Sequence, residues 1–383
     1  MTTDDLVYEQ AAGANEPAVT ASRSPVPETR ALMHNHTEIG PLFKIVIVNF
    51  LLTVLTLGIY RFWAKTRVRQ YLWGHVEIMG DRLEYTGTGK ELFLGFLFVF
   101  IVVLMPFFFV IGLLDVVMQD VSDSVRTFKE VVQFLVIFFL IGVALFRARR
   151  YRLTRTYWRG IRGGQDGSAI AYAFLWLGCL LLTMVTLGLV WPACSVWIKK
   201  YEMRHTWVGD VQPDFDPRIG VLYKPFLIAW VMAAIYGAAM IMFFDGIMDA
   251  FSFDPVTGQA EDPAAFLLAL LGLYLGMLPI IFMFLWYRGK AYHHFISSTR
   301  FLNHGVTSGL TGLNFLWLAF GNWALNLLTL GFGAPFIYKR SLNYVERLVG
   351  LNGDGDFSVL LQNQQDAPST GEGLADAFDV GAI

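Results

Sequence analysis

Residues 169–191, 226–244 and 264–287 each run for about 20 positions without one charged side chain, enough for a helix to cross a hydrocarbon core of ~30 Å. A fourth stretch, 92–118, carries a single charge, Asp115, near its end. Helices this apolar have no polar face to turn to water, which excludes a soluble bundle. The bulk numbers agree: 55% of residues are hydrophobic and 16% charged, against about 25% charged in a soluble domain. The expected fold is all-α, a polytopic transmembrane helix bundle. A net charge of −2 gives no reason to expect a nucleic-acid partner. Cys179 and Cys194, both in or beside apolar segments, make no disulfide framework.

A second pattern overlies the first. Thr-Leu-Gly occurs at Thr56, Thr186 and Thr329, and aligning the chain on it brings other positions into register. Fifteen residues after each Thr comes a Tyr (Tyr71, Tyr201, Tyr344). Six after it, in two copies, comes a Pro (Pro192, Pro335), and nineteen after it, in two copies, a His (His75, His205). Each copy then meets a Gly-Asp turn at Gly80, Gly209 or Gly353. The pattern predicts an internal triplication of a unit made of a membrane helix and a basic interfacial helix.

Counting back seven and three residues from each Thr gives three small-polar stripes: Asn49, Thr53, Thr56; Cys179, Thr183, Thr186; and Asn322, Asn326, Thr329. Positions i, i+4 and i+7 share a helix face. Such stripes either join helices by hydrogen bonds or line a polar pathway. Gly58, Gly188 and Gly331 are the candidate bends. If every apolar segment crossed the membrane, the basic residues would divide almost evenly between its sides. If the Thr-Leu-Gly segments enter and return, only Arg126 and Lys129 lie opposite the rest, and the positive-inside rule favours that arrangement with the basic loops cytoplasmic. Full spans are the alternative, since 169–187 alone is long enough to cross.

Past the first bend, Arg61, Lys65, Arg67 and Arg69 alternate with aromatics. A second strip, 147–162, holds Arg147, Arg149, Arg150 and Arg152. Trp and Tyr favour the headgroup level and Arg or Lys can reach lipid phosphates there. These residues are therefore candidate lipid-headgroup contacts, in a general anchor or a specific site, and membrane lipids are the expected partners.

No catalytic constellation is present, and no enzyme activity, cofactor or metal is expected. Gly87–Lys90 lacks the spacing of a phosphate loop, and Glu91 stands where a Ser or Thr is needed. Asn352, Asp354 and Asp356 begin like a calcium loop that fails at Phe357 and Asn363. His34, His36 and Glu38 offer a weak metal set, and the neighbours His293 and His294 face different ways. Lys44, Asp115 and Asp245 lie near segment ends and form no proton relay.

The run from Val48 to Phe96 resembles the signature of the YjgN-like family of bacterial inner-membrane proteins, a family of unknown function. The resemblance rests on Leu57-Gly58-Ile59-Tyr60, Phe62-Trp63-Ala64-Lys65, Arg67, Tyr71 and Gly87-Thr88-Gly89-Lys90-Glu91-Leu92-Phe93. It implies a multi-pass protein of the bacterial inner (plasma) membrane and brings no reaction or ligand with it. The chain is then divided into an N-terminal disordered tail (1–37), a first repeat (38–91) and a transmembrane pair (92–146). A basic strip with the second repeat (147–225), another pair (226–287), a third repeat (288–361) and an acidic disordered tail (362–383) follow. Two functions compete: a transporter or channel-like protein for a small solute or lipid, and a non-catalytic scaffold binding lipid or a partner.

Overall fold

The computed structural model describes residues 29–119, 121–242, 263–353 and 360–361. The chain repeats one plan five times: a helix pair whose two feet are joined by a pair of short strands. In chain order the pairs begin with α1 (Ile39–Leu55) and α2 (Arg61–Gly74). Next come α3 (Gly89–Val99) and α4 (Met105–Val117), read as one helix, with α5 (Asp123–Thr154). The third pair is α6 (Ala169–Val185) with α7 (Trp191–Arg204), and the fourth α8 (Ile219–Met242) with α9 (Pro263–Ser297). The last is α10 (Gly312–Leu328) with α11 (Ala334–Leu348).

Long and short pairs alternate. The second and fourth hold the four helices long and apolar enough to cross a membrane among the described residues. The other three pairs go out for 17 residues, or roughly 25 Å at 1.5 Å per residue. They return in 14 or 15. Starts are set by hydroxyl caps: Thr88, Ser168 and Thr311 accept the N–H groups of Glu91, Ala171 and Asn314. Between α3 and α4, Phe100–Leu104 form a π turn just before Pro106. Proline supplies no N–H to the ladder, and the widened turn absorbs that loss.

The feet form a ring of short antiparallel strands. β1 is Thr29–Ala31. β2 (Met33–Asn35) pairs with β3 (Val76–Ile78) under α1 and α2. β4 (Asp81–Tyr85) pairs with β5 (Thr156–Trp158), and β6 (Ile161–Gln165) with β7 (Thr206–Val208). β8 (Asp214–Phe215) pairs with β9 (Thr299–Phe301), and β10 (His304–Ser308) with β11 (Val349–Asn352). Turns carry the chain from one pair to the next. At Met79-Gly80, Arg159-Gly160 and Leu302-Asn303 the paired residues have positive φ, except that Gly stands second only in the first two, and such turns match the twist of short hairpins. β1 pairs with β11 and runs into β2 through Leu32, and at the other junction a Val208–Val211 bridge closes the turn that leads from β7 toward β8. Trp158, Leu351 and Leu360 are buried inside, with Ile78, Leu83, Phe301 and Val306 packed around them.

Four expectations change. The molecule is predominantly helical, as expected, but an all-α fold omits the strand ring. Residues 29–35, placed in the disordered tail, are strands β1 and β2, because β11 and β3 offer them free edges; the rest of that tail up to residue 28, the acidic tail 362–383, Asp245, Asp354 and Asp356 lie outside the described residues. The 147–162 strip is not a separate interfacial helix: 147–154 end α5, and Thr156–Gln165 form a hairpin. Nor is α2 a surface helix, because it packs as the return arm of α1, burying Phe62, Val68 and Leu72. Both feet of each short pair lie in one strand pair, so the chain comes back to the end from which it left.

Candidate functional site

Thr-Leu-Gly is the reversal of each short pair. The hydroxyls of Thr56, Thr186 and Thr329 donate to the carbonyls of Leu52, Leu182 and Leu325. They also accept the N–H groups of Tyr60, Val190 and Gly333 at 2.9, 3.3 and 2.7 Å. Leu57, Leu187 and Leu330 then take φ of 52°, 50° and 50°, and Gly58, Gly188 and Gly331 take 92°, 89° and 89°. Each Gly N–H reaches back to the carbonyl of Thr53, Thr183 or Asn326 at 2.7, 2.7 and 2.9 Å, which is a Schellman closure. The three leucines are 94, 77 and 85% exposed. Left-handed backbone costs a residue with a side chain ~1–2 kcal/mol, and no packing within the chain offsets it.

The polar stripes turn toward their own return arms. Asn49 is buried and its amide donates to the Ala64 carbonyl on α2 at 3.3 Å. Cys194 Sγ on α7 lies 3.7 Å from the Cys179 carbonyl. Asn322 donates to Ser341 Oγ on α11 at 3.1 Å. Thr53 and Thr183 bond back to the carbonyls of Asn49 and Cys179, and Asn326 is exposed. Asn49 and Thr53 border one groove of about 280 Å³, which includes none of the other stripe residues. The three stripes are not brought together.

The cations divide into two groups. Arg69 is fully buried, its guanidinium donating to the Tyr85 hydroxyl at 3.2 Å. Two residues along a helix turn the side chain by about 200°, so Arg69 faces the protein where Arg67 faces out. A headgroup role for Arg69 is therefore corrected to a packing role. Arg149 pairs with Glu202 at 2.6 Å, and Lys199 and the Tyr172 hydroxyl complete the carboxylate's partners. Glu91 is held in a similar way by Arg155 and Tyr151. These clusters join α5 to its neighbours on both sides. Arg150 and Arg152 are half-buried and Arg147 is exposed.

The outward cations line grooves beside the short pairs. Two of similar size differ in place. One of about 600 Å³ runs along α10 and α11, with Lys339, Arg340 and Arg347 beside Trp317, Leu325 and Phe336. Another, of about 610 Å³, lies between α7 and α9 and sets Lys199 and Arg288 among Trp176, Trp191 and Phe284, with Glu202 at its wall. Arg61 and Lys65 line the smaller groove of Asn49. Sequence reasoning missed Lys339, Arg340, Arg347 and Arg288 as a site, because part of the apolar wall beside them, Trp317, Leu325, Trp176 and Trp191, lies on other helices. His34 and His36 do not converge: one meets Glu346 and the other Glu77.

Comparison with known proteins gives a family and no reaction. Residues 33–377 match the description "Bacterial protein of unknown function (DUF898)". The chain is 42% identical over 74 residues, 18% of its length, to the inner membrane protein YjgN of Salmonella typhimurium, covering 19% of that protein. It is 30% identical over 147 residues, 38% of its length, to inner membrane protein YjgN of Escherichia coli strain K12, covering 33% of it. The matched parts thus span a third or less of these curated relatives. No solved structure matches the chain. With apolar helices of crossing length and a family match over most of its residues, this chain is a membrane protein that belongs to the DUF898, or YjgN-like, family of bacterial proteins of unknown function.

Proposed function

We propose that this protein is a non-catalytic membrane scaffold that holds anionic phospholipid beside its three short helix pairs. The observation that carries this reading is the α10–α11 groove, where Lys339, Arg340 and Arg347 stand over an apolar wall. Arg347 lies next to the strand ring and Phe336 near the reversal, so the groove is cationic toward one end and apolar toward the other. An acyl chain and a phosphate match that gradient. A small solute has no use for the apolar end.

The same reading gives the molecule a direction. The ring and its basic residues lie at the cytoplasmic face, as the positive-inside rule favours, and the short pairs enter the bilayer from that face without crossing it. Exposed leucines at all three reversals support this, since an apolar medium gives them what the chain does not. We further read the short pairs as copies of one unit, with repeats at 38–91, 147–225 and 288–361 separated by the pairs 92–146 and 226–287. Support comes from the shared reversal geometry and from equivalent contacts at the feet. Tyr71 and Tyr201 donate to the carbonyls of Glu38 and Ser168, and each stacks on the His four residues later.

Transport of a solute or lipid is the second reading. Its support was a polar pathway shared by the stripes, and the stripes instead bond within their own pairs, so the lipid-binding reading takes precedence.

The test is lipid retention. The protein is released from nanodiscs of equal phosphatidylglycerol and phosphatidylcholine, and the lipids that stay bound are identified by native mass spectrometry. Phosphatidylglycerol should be enriched, and the combined Lys339→Ala, Arg340→Ala and Arg347→Ala variant should lose most of that enrichment. Equal retention of both lipids by the unaltered protein would refute the proposal.

A further inference from the structure

The interior of the strand ring, well apart from the cationic grooves, holds a cavity of about 300 Å³. Leu32, Ile78, Leu83, Ile161, Phe301 and Val306 supply most of its wall. The polar atoms among its lining residues are engaged elsewhere. Trp158 Nε1 donates to the Ile78 carbonyl and Trp207 Nε1 to Asp166, both at 2.9 Å. Thr156 Oγ1 donates to the Arg152 carbonyl and accepts from Trp73 Nε1. A buried water needs two to four polar partners, and the side chains of the described lining residues leave none for it. Apolar cavities of about half this volume take up benzene-sized molecules.

The two ends of the cavity differ. At the helix end the wall includes Leu153, in the last turn of α5. At the far end, where the hairpin turns lie, Leu360 is buried in the same apolar cluster as Trp158 and Leu351. The next residue, Leu361, is exposed, and its N–H donates to Asp210 Oδ1 at 3.0 Å. An aliphatic side chain of the protein itself therefore already occupies the outer end of the ring. Leu360 shows what chemistry the ring accepts, and among the described residues the Leu361 N–H bond to Asp210 fastens it there.

We infer that the strand ring is a binding site for one aliphatic chain with a neutral head, entered at the mouth that Leu360 and Leu361 cover. The chain lies in the cavity between Leu360 and the foot of α5, and Leu360 yields part of its place as it enters. Asp210 at the mouth disfavours a carboxylate through like charge, which selects a fatty alcohol or a similarly uncharged amphiphile. This site is independent of the anionic lipid grooves, and it survives if those fail.

The experiment uses the full-length protein in nanodiscs and a long-chain alcohol carrying a photoreactive diazirine near its methyl end. After irradiation, adducts are mapped by peptide mass spectrometry. Labelling from the surrounding bilayer marks the apolar helices and serves as an internal control for folding. Adducts are also expected in the strands around residues 76–85, 156–165 and 299–308. Val306→Trp, which fills the cavity, should abolish the strand adducts while leaving the helix adducts, and Val306→Phe should reduce them if the bulkier variant misfolds. Leu360→Gly should raise them. The Lys339, Arg340 and Arg347 alanine variant should leave them unchanged, which separates this site from the grooves. Absence of strand adducts in both the unaltered protein and Leu360→Gly, or their persistence at full level in a folded Val306→Trp variant, would overturn the inference.

Discussion

Leu57, Leu187 and Leu330 hold a backbone conformation that glycine holds more easily, and each does so at a turn where a glycine follows directly. The order could have been reversed. Leucine in the left-handed position costs ~1–2 kcal/mol, while covering a leucine side chain with an apolar medium returns roughly 1.5–3 kcal/mol. The sum favours leucine only if the surroundings are hydrocarbon. Tip depth can be measured directly. In a Cys179→Ala, Cys194→Ala background, a nitroxide attached at Leu57→Cys, Leu187→Cys or Leu330→Cys should collide with dissolved oxygen and be shielded from a water-soluble nickel chelate. The opposite pattern at all three sites would put the tips in water. Leu187→Asp should lower insertion of the second short pair, since a carboxylate costs up to ~2.5–3.5 kcal/mol toward the bilayer centre.

Among the elements, close approach of α5 to α6 and of α9 to α10 depends on small residues at the crossings. Gly142 of α5 faces Ala173 of α6, where an added Cβ would come within 2.9 Å of the Ala173 backbone. Gly289 of α9 faces the start of α10, where a Cβ would sit 2.6 Å from Phe315 Cβ and 2.9 Å from Gly312 Cα. Backbone cannot step aside as a flexible side chain can, so Gly289→Val should destabilise the protein by ~1–3 kcal/mol. The check is a thermal melt in detergent beside Gly272→Val, whose glycine has open space around it; equal losses would show that helix propensity, not packing, sets the effect. The long apolar helices and the reversals were legible because a 20-residue uncharged run and a repeated Thr-Leu-Gly each leave few alternatives. The strands were not, because runs of two to five residues carry no clear alternation. A signal existed all the same. Thr156, Thr206 and Thr299 each open a strand with an aromatic residue close behind, and each hydroxyl donates to the carbonyl four residues back, at Arg152, Glu202 and Phe295. The basic strips were read as lipid contacts because composition does not say which way a guanidinium points. Arg69 and Arg149 turned inward toward Tyr85 and Glu202.

At the scale of the molecule, a ring joined to both feet of every helix pair imposes a parity. Whatever each pair does above the ring, the chain comes back to it, so all the hairpin turns lie on one side. That places Asp81, Asp210 and Asn303 together, and leaves Ser122, between α4 and α5, at the far end of a long pair. The short pairs reach only about 25 Å by helix rise, less than the ~30 Å core, so on the proposed reading all five pairs enter from the ring side and only the two long ones cross. Parity makes the arrangement testable with single cysteines in the background lacking Cys179 and Cys194. Asp81→Cys, Asp210→Cys and Asn303→Cys should all react with a membrane-impermeant maleimide only after the cytoplasmic face is opened. Ser122→Cys should react in intact cells whose outer membrane has been permeabilised. If the short pairs crossed the membrane, Asp81 and Asp210 would instead fall on opposite sides, because the second short pair and a long pair separate them. One labelling series therefore decides between a sided ring whose short pairs stop short of crossing and a conventional seven-span bundle.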